Sequence, residues 1–265
     1  MLILHRKSKV SRMSEVRREG YKFCQDICIP CYETDASFYL KPASFMDMAQ
    51  EIAYWAAQEL GFGYDDLHVH HTAWVLSRMH FHFANPPKWR DNVTLYTWHK
   101  GPSGLFYLRD FYLKDGEGNR LVTCTSSWVV IDERTRRLVR PEEMNHLLSV
   151  DGDVDSAIVE EAPKVMMPRG SEPVPAGEHT VVYSDVDIIG HTNNARYMVW
   201  AMDCLPYEVV SGRRIRDAYV NFNKETTPGT VVQLYRLETE EDGRMVQFVE
   251  GHVDGKSVFC VKLVF

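Results

Sequence analysis

Twice along the chain a strand-like run leads through a polar stretch into an amphipathic helix and then into a meander of strands. In the first copy, Tyr21 to Tyr32 reads as a strand and ETDASFYLKPASF carries the chain onward. Phe45, Met48, Ala49, Ile52, Ala53, Ala56 and Leu60 then recur at helical spacing. Asp47, Gln50, Glu51 and Gln58 lie off that face, and Gly61 stops a helix of about 17 residues. WVLSRMHFHF follows as a strand broken by Asn85-Pro86-Pro87, and DNVTLYTWHK as one closed by Gly101-Pro102. FYLRDFYLKD ends at the hairpin signal Gly116-Glu117-Gly118-Asn119, from which RLVTCTSSWVVID returns.

The second copy restarts at Val181 to Tyr183. SDVDIIGHTNN leads to Met198, Ala201, Met202 and Leu205 at i, i+3, i+4 and i+7, and Pro206 ends the pattern. Asn193 and Asn194 suit the helix start, because an Asn side chain accepts from free first-turn amides. RDAYVNFNKE, TVVQLYRLE, MVQFVEGHV and SVFCVKLVF read as strands. The break after each helix also matches, HFANPPKWRDNVTLYT against VNFNKETTPGTVVQLYR. An internal repeat of this kind predicts two similar α+β halves, each with one helix laid on an antiparallel sheet. Joining their edge strands into one continuous sheet would hide two exposed edges.

The expected boundaries are a basic, disordered leader at 1–20 (Arg6, Lys7, Lys9, Arg12, Arg17, Arg18), a first half at 21–145, a linker at 146–178 and a second half at 179–265. The linker is acidic and then rich in Pro and Gly, with room for a short helix.

Composition narrows the class. With 45% hydrophobic and 25% charged residues the chain is built to fold, and a net charge of −7 gives no nucleic-acid signature. No apolar run is long enough for stable membrane insertion. Six scattered cysteines favour a reduced cytosolic compartment, and since the leader reads as disordered more than as a transit-peptide fragment, a bacterial cytoplasm is expected ahead of a plastid. Cys24, Cys28 and Cys31 have an iron–sulfur-like spacing, but they lie in a strand-like run where they cannot converge, and no cluster is expected. His80 and His82 share a strand face without Cys or carboxylate partners at ligand spacing, so no metal is expected there either.

Only the second copy carries an Asp, a His four residues later and two Asn at the mouth of its helix. Asp187 and His191 would be a capping carboxylate and a loop histidine if they stood alone. At a repeated strand–helix junction they instead suggest chemistry near exposed amides that favour negative charge. The first half, with Asp35 but no His, would then supply an apolar pocket, with Met48, Ile52 and Trp55 of its helix among the substrate-binding candidates.

SDVDIIGHTNNARYMVWAMDCLP resembles the signature S-D-x-D-x-N-x-H-x-N-N-x-x-Y-x-x-W of acyl-acyl-carrier-protein thioesterases. PKWRDNVTLYTW, TSSWVVIDERTRRLVRPEE and VNFNKETTPGTVV resemble other parts of the same family, so the resemblance runs from about Tyr21 to the C-terminus. It implies an α+β double hotdog, two long helices on a continuous antiparallel sheet, and hydrolysis of a fatty-acyl thioester. The partner implied is an acyl carrier protein bearing a fatty acyl phosphopantetheine. The catalytic residues implied are Asp187, His191 and Glu225, with Asn193 and Asn194 beside the substrate. The family's Asn between Asp and His falls on Ile189, and the Cys of some members falls on Thr226, which argues against a thiol nucleophile.

The mechanism expected is direct attack by water. Glu225 acts as general base, His191 orients the water or carbonyl, Asp187 holds the imidazole, and helix-start amides bind the oxyanion, with no metal or organic cofactor. Basic docking candidates for an acidic carrier are Arg134, Arg136 and Arg137 with Arg140, and Arg213 and Arg214 with Arg216. A homodimer stays open. The rivals are a hotdog hydratase or dehydratase and a binding protein weakened by Ile189.

Overall fold

The structure, a computed structural model, describes residues 15–141, 144 and 154–265. Most of the basic leader therefore lies outside the described residues. Its last residues do not read as disordered: Arg17–Glu19 forms strand β1 and pairs antiparallel with β2, Lys22–Cys28.

The first half continues with α1 (Pro42–Glu59), a short α2 (Tyr64–Val69), and strands β3 (Thr72–Phe83), β4 (Asn92–Ser103), β5 (Phe106–Lys114), β6 (Arg120–Asp132) and β7 (Leu138–Val139). The second half comprises β8 (Val174–Thr180), α3 (Asn194–Asp203), α4 (Tyr207–Gly212), β9 (Asp217–Phe222), β10 (Val231–Glu241), β11 (Arg244–Val253) and β12 (Lys256–Val264). All strands belong to one twelve-stranded sheet ordered β1-β2-β4-β5-β6-β3-β9-β12-β11-β10-β8, with β7 beside β6. The halves meet where β3 pairs antiparallel with β9, from Arg78 opposite Asn221 to His82 opposite Asp217. This is the expected double hotdog, its two inner edges consumed by one another.

Local chemistry sets the helices. Pro42 opens α1, where a missing N–H costs nothing, and Gly61 closes it at φ 77°, a conformation that a side chain resists. Asn193 caps α3 by accepting from the Ala195 amide at 2.8 Å. That helix is shorter than its twin, because Pro206 interrupts it and restarts the chain as α4. Phe45, Ile52, Phe81 and Phe111 of the first half and Met198, Val220 and Phe259 of the second bury into one core cluster.

The expected linker is a strap. It has no helix among its described residues, and β8 begins inside its predicted span. Alternation along β4 and β5 turns Trp98, Asp110 and Tyr112 away from the helices, and the strap covers them. Trp98 Nε1 donates to the Asp155 carbonyl at 2.8 Å, and Ala157 N donates to Asp110 Oδ2 at 2.7 Å. Further on, Val165 N donates to Asn221 Oδ1 on β9 at 2.7 Å, so one segment clamps both halves from behind. Cys24, Cys28 and Cys31 are free thiols, and among the described residues no three or more His, Cys, Asp or Glu side chains gather as a metal-ligating group. His80 and His82 share the carboxylate of Asp217 at 3.2 and 2.9 Å instead.

Candidate active site

A cavity of about 810 Å³ opens between the halves. Its apolar wall comes from the first half, from Ala53, Tyr54 and Ala57 on α1 with Phe62, Trp74, Tyr107 and Trp128 around them. The second half supplies the polar Asp187, His191, Asn194, Tyr197 and Glu225 together with the apolar Ile189, and Arg109 and Arg136 of the first half also line the cavity. Met48 and Ile52 are not on this wall; they are buried in the core beneath it. Trp55 is 49% exposed and donates its Nε1 to Glu51 at 2.7 Å. Apolar spacing marked the buried face of α1, whereas the cavity is lined by the flank beside it, Gln50, Ala53, Tyr54 and Ala57.

His191 and Glu225 converge from separate segments. His191 Nδ1 lies 3.7 Å from Glu225 Oε2, and this buried ring nitrogen makes no hydrogen bond among the described residues. Glu225 accepts instead from Arg136 Nη2, which reaches over from the turn after β6. Arg136 thus points into the cavity, onto Glu225. That turn is built to deliver it. Asp132 Oδ1 accepts from the amides of Arg134 and Thr135 at 3.0 and 2.7 Å, and Arg136 itself sits at φ 58°.

The Asp187 carboxylate is turned onto backbone amides and not onto the imidazole. Its Oδ1 accepts from the amides of Ile189 at 3.0 Å and His191 at 3.3 Å, and its own N–H donates to the His191 carbonyl at 2.9 Å. No hydrogen bond runs from this carboxylate to the imidazole. Asp187 shapes the loop that presents His191; it does not hold the ring. Ile189, at the family's Asn position, is 48% exposed on the cavity wall and offers no donor.

The helix start has little left to give an oxyanion. The amides of Asn193, Ala195 and Arg196 already donate to Asp185 O, Asn193 Oδ1 and Asn193 O. Asn193 is spent on capping, and Asn194, with an amide at the first helical position and a place on the cavity wall, is the one that remains.

Sequence reading passed over two supports. Behind Glu225, the Thr226 hydroxyl shares hydrogen bonds with Thr192 Oγ1 at 2.7 Å and the Tyr197 hydroxyl at 2.9 Å, all three groups buried. Burial raises the Tyr197 phenol above its ordinary value, so it stays a neutral donor. On the opposite wall Arg109 is buried, donates to Thr97 Oγ1 at 3.2 Å, and is pushed down to about 10 by desolvation. A charged residue inside a strand carries no periodic signal that could have marked Arg109, and the Thr226 network joins residues too far apart in the chain for spacing to show it.

A cavity walled by one hotdog and equipped with His and Glu by the other defines a double-hotdog protein with an asymmetric site. Comparison with known proteins gives the family. Residues 20–147 match the acyl-ACP thioesterase N-terminal domain, and residues 174–262 match the acyl-ACP thioesterase C-terminal domain. The chain belongs to the acyl-ACP thioesterase family. Among curated relatives it is 25% identical to an oleoyl-acyl carrier protein thioesterase of Arabidopsis thaliana, over 95% of this chain and 75% of that protein. It is 26% identical to an acyl-[acyl-carrier-protein] hydrolase of Cuphea viscosissima, over 89% of this chain and 60% of that one. In fold it is similar to an acyl-ACP thioesterase from Bacteroides thetaiotaomicron, with a TM-score of 0.78 and 23% identity over 92% of this chain and 98% of that one. The 12:0-ACP thioesterase of Umbellularia californica has the same TM-score at 22% identity, over 92% and 94%.

Proposed function

We propose that this chain hydrolyses fatty acyl thioesters carried on acyl carrier protein, releasing free fatty acid and the carrier thiol. The observation that carries the reading is the approach of His191 to Glu225, 3.7 Å apart, on one side of a cavity whose other side is largely apolar. The acyl chain lies against the first half and places its carbonyl beside the second. Glu225 takes a proton from water, His191 orients that water or the carbonyl, and the Asn194 amide receives the developing oxyanion. General base catalysis of this kind contributes about 10²–10⁴-fold. The thiolate leaves without metal assistance, since it is already a good leaving group. Asp187 serves by fixing the loop backbone. Free cysteines throughout the described residues support a reduced, cytoplasmic setting.

The test is thiol release from a panel of acyl-carrier thioesters. Wild type releases thiol, and His191→Ala and Glu225→Gln lose most of it. Ile189 favours one second reading, a carrier-binding protein with weakened chemistry. Tight binding of acyl carriers with no thiol released would select it and sink the hydrolase.

A further inference from the structure

The junction that makes the candidate active site is present twice. In the second half Asp187 Oδ1 accepts from the amides of Ile189 and His191, Asp187 N donates to His191 O at 2.9 Å, and Thr192 N donates to Thr226 O at 2.9 Å. In the first half Asp35 Oδ1 accepts from the amides of Ser37 and Tyr39 at 2.8 and 2.9 Å. There Asp35 N donates to Tyr39 O at 2.8 Å, and Leu40 N donates to Pro87 O at 2.8 Å. The match puts Tyr39 where the second half has His191, and Pro86 where it has Glu225. The backbone survives, but base and imidazole are gone, so this twin does no hydrolysis.

It has positive charge and exposed aromatic surface instead. The Tyr39 hydroxyl accepts from Arg214, whose guanidinium lies 4.2 Å from the ring centre, and the Lys88 ammonium lies 4.7 Å from the same ring. Arg90 covers Trp89 at 3.9 Å, and Trp89 stacks with the exposed Phe38. Lys41, at the start of α1, donates its Nζ to the Tyr32 carbonyl at 3.1 Å, and Arg213 precedes Arg214 in the chain. None of Lys41, Lys88, Arg90, Arg213 and Arg214 forms an ion pair among the described residues. Of the neighbouring acids, Asp35 and Asp91 turn onto backbone amides, Asp91 Oδ2 accepting from Lys88 N at 2.8 Å. With Glu33, whose carbonyl accepts from Lys41 N, counted in, the cluster keeps an excess of positive charge.

We propose that this inactive twin is the docking surface for the acidic carrier, whose arm delivers the thioester to the active junction. The inference rests on the function proposed above. A chain with a net charge of −7 repels an acidic protein at long range, so attraction has to come from a local field such as this one. Arginine with exposed aromatic side chains is also the composition of binding hot spots. The reach is right as well. Asp47 in the second turn of α1 pairs with Arg196 in the first turn of α3 at 2.9 Å. With a rise of about 1.5 Å per residue the two junctions are on the order of 20 Å apart, a span that a flexible phosphopantetheine arm covers.

The experiment compares the full chain with the double variant Lys88→Glu/Arg214→Glu and the milder Lys88→Gln/Arg214→Gln. Binding of the non-acylated holo-carrier, and hydrolysis of both acyl-carrier and carrier-free acyl-pantetheine thioesters, are measured at low and moderate salt. Docking here predicts a loss of about tenfold or more in holo-carrier affinity for the Glu variant and a smaller loss for the Gln variant. KM for the acyl-carrier rises to match, and acyl-pantetheine hydrolysis is unchanged. Wild-type carrier affinity in both variants overturns the proposal, as does equal loss on the two substrates, or loss that appears instead in Arg134→Glu/Arg137→Glu. A wild type that binds holo-carrier through Lys88 and Arg214 but cleaves neither thioester overturns the hydrolase reading and leaves the docking surface standing.

Discussion

Arg136 and Glu225 meet side chain to side chain across the two halves, the cation from the turn after β6 and the carboxylate from the loop after β9. Glu225 therefore takes its place beside His191 only while the first half holds it there. Both side chains are partly exposed, so the pair adds little to stability, and its effect belongs to geometry. Arg136→Gln is expected to lower kcat about tenfold, a loss of roughly 1.4 kcal/mol in transition-state stabilisation. KM should hardly change, and Arg136→Lys should recover much of the rate. A rise in KM at constant kcat would return Arg136 to the docking role that the sequence suggested.

Asp187 gives a sharper test of roles. Its carboxylate accepts two backbone amides and leaves the imidazole alone. An Asn side chain keeps an acceptor oxygen of the same reach, so Asp187→Asn is expected to stay within about tenfold of wild type. Asp187→Ala removes both bonds, loosens the loop under His191, and should lose about 10²-fold or more, in line with what a misplaced catalytic group costs. If Asn and Ala are equally damaging, the negative charge acts on the imidazole after all.

Ile189 stands half-exposed on the cavity wall, at the position where the family resemblance expects an Asn. Ile189→Asn should raise kcat, with a ceiling of about 10²–10³-fold if the new amide reaches the developing oxyanion. Ile189→Ala, which removes the apolar bulk without adding a donor, should leave the rate unchanged. Equal gains from both variants would mean that Ile189 obstructs the cavity and that no donor is missing.

The repeat was legible because apolar spacing reports burial, and burial is what the two sheets and two helices share. Asp187 and His191 stood out because they break that pattern in the second copy alone, whereas Glu225 came only from the resemblance. The role of Asp187 was not legible, since sequence spacing puts a carboxylate near an imidazole but does not say whether it bonds to the ring or to the backbone. Met48 and Ile52 failed as cavity residues for a related reason. The period of α1 separates buried from exposed faces, whereas the cavity runs along their boundary through Gln50 and Tyr54. Arg136 read as one more charge in a basic turn, because its partner lies 89 positions away.

Asp185 ties the active loop to the sheet, and its effect should depend on pH. It is buried; Oδ2 accepts from Val182 N at 2.9 Å and bonds His179 Nε2 at 2.8 Å, while Oδ1 accepts from Trp200 Nε1 at 3.3 Å. Its carbonyl receives the Asn193 amide at the start of α3. Burial on its own would raise this carboxyl, but the bonds from His179, Val182 and Trp200 outweigh it and hold the group below its ordinary value. A depressed carboxyl stabilises the fold above the unfolded-state value of about 3.9, and that contribution is lost as pH falls through the lower folded value. Asp185→Asn cannot accept all of these donors and sets a donor of its own against them. It is expected to cost about 1.5–3 kcal/mol at pH 7, the usual range for hydrogen bonds to a charged group. Urea unfolding of both proteins at pH 7, 5 and about 3 should show the gap narrowing only in the most acidic series. A gap that does not change with pH would mean that the shape of Asp185, and not its charge, holds the loop in place.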